Sequence, residues 1–171
     1  MKIINILFIC IVTMIISCQS NTNEYIEITT GIPMNPNQPR IGIIVNGNDS
    51  VYMCKEIING SGSSKFTSYK YYAGKEKINF NKYKKEVKLL FGDTIIFNFP
   101  QDGEMEKLKF FIDNKNHERF FTTSILNDKQ NKIVYSMKEL MKNNNFVEIP
   151  YHKFSRDLLD SKIPDPPPPP K

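Results

Sequence analysis

The chain has 171 residues, a net charge of +5, 40% hydrophobic and 12% aromatic side chains, and no tryptophan. That is enough material for one folded domain with its own core, and it excludes a disordered chain. The charge excess is mild and its arginines are few (Arg40, Arg119 and Arg156), so no nucleic-acid partner is expected.

In chain order, the first segment reads as targeting. Lys2 precedes an apolar run from Ile3 to Ile16, interrupted by Asn5 and Thr13. A charged front, a short apolar middle and a small exit residue are the parts of a secretory signal. The run is shorter than the roughly 20 apolar residues a spanning helix needs. It closes on Ile15-Ile16-Ser17-Cys18. That tetrapeptide resembles the lipobox of bacterial lipoprotein precursors: a branched apolar residue three before the cysteine, a small residue just before it, then Cys. The resemblance covers about the first twenty residues, and Ile16 is bulkier than the family's usual choice.

The resemblance implies that residues 1–17 are removed between Ser17 and Cys18. Cys18 would then carry a diacylglycerol on its sulfur and an acyl chain on its new amino group. No other cofactor is expected. Two or more acyl chains hold a protein stably on a bilayer, each buried methylene contributing about 0.8 kcal/mol. The membrane is thus the first expected partner. Gln19 stands where Asp resembles an inner-membrane retention signal, which points to the outer membrane, with the domain facing the periplasm. Cys10 leaves with the signal, so Cys54 alone remains as a thiol. No internal disulfide is expected, and Cys54 reads as a small buried apolar group.

Residues 18–24 form the lipidated cysteine and a polar linker, and residues 25–162 a globular domain. Tyr25–Thr30 alternates as a strand. Pro33, Pro36 and Pro39 make a loop of the residues before Arg40. Arg40–Val45 and Ser50–Ile57 flank Asn46-Gly47-Asn48-Asp49, a hairpin signal. A loop on Gly47-Asn48 would face Ile44 to Val51, and one on Asn46-Gly47 would face Ile43 to Ser50. The first pairs apolar with apolar and is preferred.

Residues 59–64 read as a flexible turn, and Lys65–Tyr72 as a strand rich in aromatics. A helix follows, capped by Asn81 and Gly92, with Tyr83, Val87, Leu90 and Phe91 on one face. Asp93–Phe99, Glu104–Asp113 and Glu118–Ser124 read as an antiparallel meander, with turns at residues 100–103 and 114–116. Asn127 and Gln130 resemble a capping box opening a second helix, whose buried face carries Ile133, Met137, Leu140 and Met141. Phe146–Ile149 is a short strand, and Ser155–Asp160 a helical turn. Residues 163–171 form a Pro-rich tail with polyproline II character. The expected fold is a single α+β domain: a mainly antiparallel sheet with about two packed helices.

No catalytic set emerges from these residues. His117 falls in a turn and His152 after Pro150-Tyr151; neither has a second histidine at zinc spacing, and both read as exposed. The glycines of Gly60-Ser61-Gly62-Ser63-Ser64 are one residue off a nucleophile elbow. Asp102, Glu104 and Glu106 cluster near one turn but are too sparse for a calcium loop. Lys82, Lys84, Lys85 and Lys88 stud the first helix, as a solvated face or as a contact for anionic headgroups. Tyr69, Tyr71 and Tyr72 would offer rigid contacts to a protein partner if their strand lay at a sheet edge. The sequence reading is thus a lipid-anchored, non-enzymatic binding or assembly module of the bacterial envelope. Two alternatives stay open: an immunity-type lipoprotein that captures a toxin in the periplasm, and a small envelope hydrolase. A pocket holding His117 or His152 beside an acid would favour the hydrolase.

Overall fold

The computed structural model describes residues 23–32, 39–60, 66–92 and 105–154. The signal, Cys18, the turn at residues 61–64, the strand expected at Asp93–Phe99, Asp102, Glu104, the helical turn at Ser155–Asp160 and the tail lie outside them.

Among the described residues ten elements follow one another: β1 (Tyr25–Ile32), β2 (Ile41–Asn46), β3 (Val51–Asn59), β4 (Phe66–Gly74), α1 (Phe80–Phe91), β5 (Met105–Ile112), β6 (Lys115–Phe121), a 3-10 turn (Thr123–Ile125), α2 (Asp128–Asn143) and β7 (Phe146–Ile149). The seven strands form one sheet in the order β6-β5-β1-β2-β3-β4-β7, and every neighbouring pair is antiparallel. The expected α+β domain, an antiparallel sheet with two helices, is what the chain forms.

Alternation sorts the strands into two faces. One carries Ile26, Ile28, Ile43, Val45, Val51, Met53, Leu108, Phe110 and Ile112, all buried beneath the helices. α1 contributes Phe80, Val87 and Phe91 to this core, and α2 contributes Ile133, Val134 and Met137. Tyr83, Leu90, Leu140 and Met141 pack around its rim. The helical periodicity therefore located both buried faces.

Several local expectations are corrected. The β2–β3 register is Val45↔Val51 and Ile44↔Tyr52, which is neither of the two weighed. Asp49, with φ of 64°, takes the left-handed position rather than Gly47. A turn closed by Asp49 N–H donating to Asn46 O (3.0 Å), followed by one left-handed residue, makes an odd-length loop. An even loop cannot give that pairing. Asp49 tolerates the conformation because its short polar side chain bonds locally. Here Oδ1 accepts from Phe80 N–H at 2.9 Å, joining the hairpin to the first residue of α1.

Helix α1 starts two residues early. Asn79, not Asn81, accepts from Lys82 N–H at 3.0 Å. Gly92 does cap the other end, but in helical conformation (φ −64°). The last carbonyls of α1 are met by side chains instead: Gln130 Nε2 donates to Leu90 O (2.9 Å) and Arg119 Nη2 to Gly92 O (3.1 Å). Asn127 and Gln130 do form the capping box of α2.

β6 also begins early. Asp113 and Asn114 both have positive φ and make a two-residue hairpin turn between Ile112 and Lys115. His117 therefore lies on a strand, not in a turn. β5 pairs antiparallel with β6, as two strands of the expected meander, and with β1 on its other side; the third expected strand, Asp93–Phe99, lies outside the described residues.

Candidate ligand-binding cleft

The face of the sheet opposite the helices is unusually polar. Three rows cross it, read from the Cα partners. The first holds Phe111, Tyr25 and Asn46; the second Lys109, Glu27, Ile44 and Tyr52; the third Lys107, Thr29, Gly42, Cys54 and Tyr71. Glu27 is 1% exposed, Lys107 2% and Glu56 6%. Charges buried this deeply persist only when paired. Ion pairs supply the partners of Lys107 and Glu56. Glu27 sits directly opposite Lys109. Lys107 forms an ion pair with Glu118 and lies 4.7 Å over the Phe120 ring. Arg40 binds Glu56 through two side-chain nitrogens, at 2.8 and 3.1 Å. Burial pushes the Glu56 carboxyl up, but the hydrogen bonds and charge of Arg40 outweigh it and hold the group below its ordinary range.

After β7 the chain turns back across this face. Residues 150–154 form a strap fixed by ring contacts. His152 stacks flat on Tyr52, with centroids 3.6 Å apart and planes 6° from parallel. Tyr151 meets Tyr71 edge-on at 5.2 Å. Phe154 packs with Ile44 and Cys54 in a second, smaller core, and its ring lies 5.7 Å from His152. Burial lowers the His152 pKa below its ordinary 6.5, so the ring is neutral at neutral pH.

Sheet and strap enclose a cleft of about 740 Å³. Its floor is Tyr25, Glu27, Ile44, Asn46 and Lys109; its wall is Tyr151, His152, Lys153 and Phe154; Asn23 lies at the point where the chain enters the domain. That entry is clamped. Glu24, 4% exposed, accepts from Lys84 Nζ through both oxygens at 2.8 Å and from Asp113 N–H at 2.9 Å. Its carbonyl accepts from Gly47 N–H at 2.8 Å.

The residues singled out from sequence fall as follows. Tyr69 and Tyr71 are on the helix-free face, beside the strap, whereas Tyr72 is half-buried against the helix-side core. Their strand is not simply an edge. β4 lies between β3 and β7, although β7 pairs only with Tyr71–Gly74. Cys54 is fully buried, as expected, and burial with the charges of Glu27 and Glu56 pushes its pKa from 9.0 to about 12.

Neither histidine is exposed: His152 is clasped by aromatics, and His117 is half-buried and stacks on Phe110 at 4.7 Å. They do not meet, since His117 lines a separate hollow of about 100 Å³ with Lys88 and Asp113. Glu106 faces α2 and pairs with Lys138. Of the α1 lysines, Lys84 binds Glu24 and Asp113, and Lys88 binds Asp113, which takes them out of a simple solvated face.

Glu24, Glu27, Asn46, Lys109 and Tyr151 were missed. For Glu27 alternation misleads: it shares the polar face of β1 with Tyr25 and Thr29, which reads as solvent-facing until the strap covers it.

Among the described residues no three His, Cys, Asp or Glu side chains converge as a metal site, and no helix is long and apolar enough to cross a membrane. No protein-family model matches the chain, and no curated protein matches it.

Proposed function

We propose that the protein is a lipid-anchored envelope module that binds a partner on the helix-free face of its sheet, without catalysing a reaction. The anchor is Cys18, in the Ile15-Ile16-Ser17-Cys18 motif. One juxtaposition carries the reading: Asn23, five residues from that cysteine, already lines the cleft. Five residues reach at most about 18 Å, so the tether would hold the cleft close to the bilayer. Gln19 favours the outer membrane, facing the periplasm. The face has what recognition requires, namely rigid rings at Tyr69, Tyr71 and Tyr151, ion pairs at Arg40–Glu56 and Lys107–Glu118, and a concave centre.

Photocrosslinkers placed at Tyr71 and Tyr151 in the native cell test this. A discrete adduct is expected from these positions and none from Lys129, on helix α2. Equal labelling from both sides, or none from the sheet face, contradicts it. For the anchor, Cys18→Ser is expected to abolish incorporation of a radiolabelled fatty acid; unchanged incorporation contradicts it.

A hydrolase is the second reading, because His152 and Glu27 line the same cleft. The binding reading is preferred on geometry. His152 is stacked on Tyr52, and Tyr52 is two strands from Glu27. At about 4.8 Å per strand, the backbones of Tyr52 and Glu27 stand about 10 Å apart. No serine, threonine or cysteine is among the described residues lining the cleft.

A further inference from the structure

We propose that the cleft takes a neutral saccharide, an inference that rests on the binding reading above. Four observations point there. First, size: about 740 Å³ lies within the roughly 300–1,000 Å³ typical of small-ligand sites. Second, charge: Glu27 and Lys109 stand directly opposite one another, with Arg40–Glu56 and Lys107–Glu118 paired nearby. Among the lining residues Glu27 stands against Lys109 and Lys153, so the cleft carries at most a small net charge and does not select a highly charged ligand.

Third, the hydrogen-bonding groups are mixed. Asn23 and Asn46 each offer a donor and an acceptor, Glu27 accepts and Lys153 donates. A sugar hydroxyl both donates and accepts, so a polyol can satisfy such a set where a purely apolar ligand would strand it. Rings of Tyr25, Tyr151 and His152 supply flat faces for the C–H side of a pyranose.

Fourth, the strands under the cleft exclude the commonest rival. β1, β2 and β5 are all interior strands, hydrogen-bonded on both sides. An extended peptide binds by adding main-chain hydrogen bonds to a free edge. The cleft floor has no such edge and offers side chains only.

The test uses the full-length chain in a sugar-free detergent. It is titrated with neutral oligomers of glucose and of N-acetylglucosamine, and read by calorimetry and amide NMR shifts. Saturable binding is expected for at least one oligomer, with shifts concentrated at Tyr25, Asn46 and residues 151–154. Tyr151→Ala is expected to weaken it about tenfold. Tyr151 is 64% exposed, so the fold should survive. Asn46→Ala is a second variant with the same expected direction, and thermal melts check both. Leu89→Ala, on α1, should leave affinity unchanged.

The proposal is overturned if neither oligomer shifts cleft resonances, or if an acidic oligosaccharide or a peptide binds there more tightly. Crosslinks from Tyr71 persisting without sugar binding would remove the saccharide and leave the binding reading standing. Loss of both would remove both.

Discussion

A thiol, an imidazole and a carboxylate show how burial decides residue behaviour here. Cys54 is wholly enclosed by β2, β4 and Phe154. It is predicted to resist a disulfide-exchange reagent at pH 8 in the folded chain and to react fully in denaturant; rapid native labelling would contradict its placement. Its raised pKa also has a sign. Below pH 9 the thiol is protonated in both states. Between pH 9 and about 12 the unfolded thiol ionises while the folded one does not, so stability falls across that window.

His152 works in the opposite direction. Its pKa is depressed by burial, so the stability it contributes is present above pH 6.5 and lost as pH drops through the lower folded value. His152→Phe keeps a ring on Tyr52 and should flatten the fall in melting temperature between pH 7 and 5. An unchanged slope would show that other groups set it. Glu24→Ala removes three hydrogen bonds and leaves Lys84 half-paired, so a loss of about 2–3 kcal/mol is predicted in urea titrations. The burial of Cys54 was legible locally, whereas the roles of His152 and Glu24 were not. Glu24 reads as the last residue of a linker, and its partners lie 60 and 89 positions away.

Elements were more legible than their pairing. The capping box at Asn127 and Gln130 is encoded within four residues, and it formed as read. The β2–β3 hairpin was visible, but its register was not. Both loops weighed have two residues, and the three-residue loop with Asp49 left-handed is held by a contact with α1 that no short window contains. Asp49→Ala should therefore cost about 1–2 kcal/mol by losing both the left-handed tolerance and the cap on Phe80. Asp49→Asn should keep most of it. Gly74 is a second element-scale case. A Cβ there would lie 2.4 Å from Val51 Cγ1 and 2.8 Å from Asn144 Oδ1, because the end of β4 passes tightly between β3 and the end of α2. Gly74→Ala is predicted to destabilise by about 1–3 kcal/mol in the same titrations; a neutral effect would show that this junction yields.

At the scale of the whole molecule, two helices cover one face of a seven-stranded sheet and a five-residue strap crosses the other. The layer count followed from amphipathic periodicity. The strand order did not, because β1 sits inside the sheet, third of seven, and its partners come from both halves of the chain. That interior position makes the cleft: the strand that follows the proposed tether carries Tyr25 and Glu27 into its floor. The proposed anchor and the proposed binding surface are thus consecutive along the chain. Intact mass spectrometry of the protein drawn from its own membranes tests this arrangement most directly. The account predicts a chain beginning at Cys18 and heavier than its sequence by a diacylglycerol and an acyl group. A chain that retains Met1–Ser17, or one that begins at Cys18 with no added lipid mass, would contradict it.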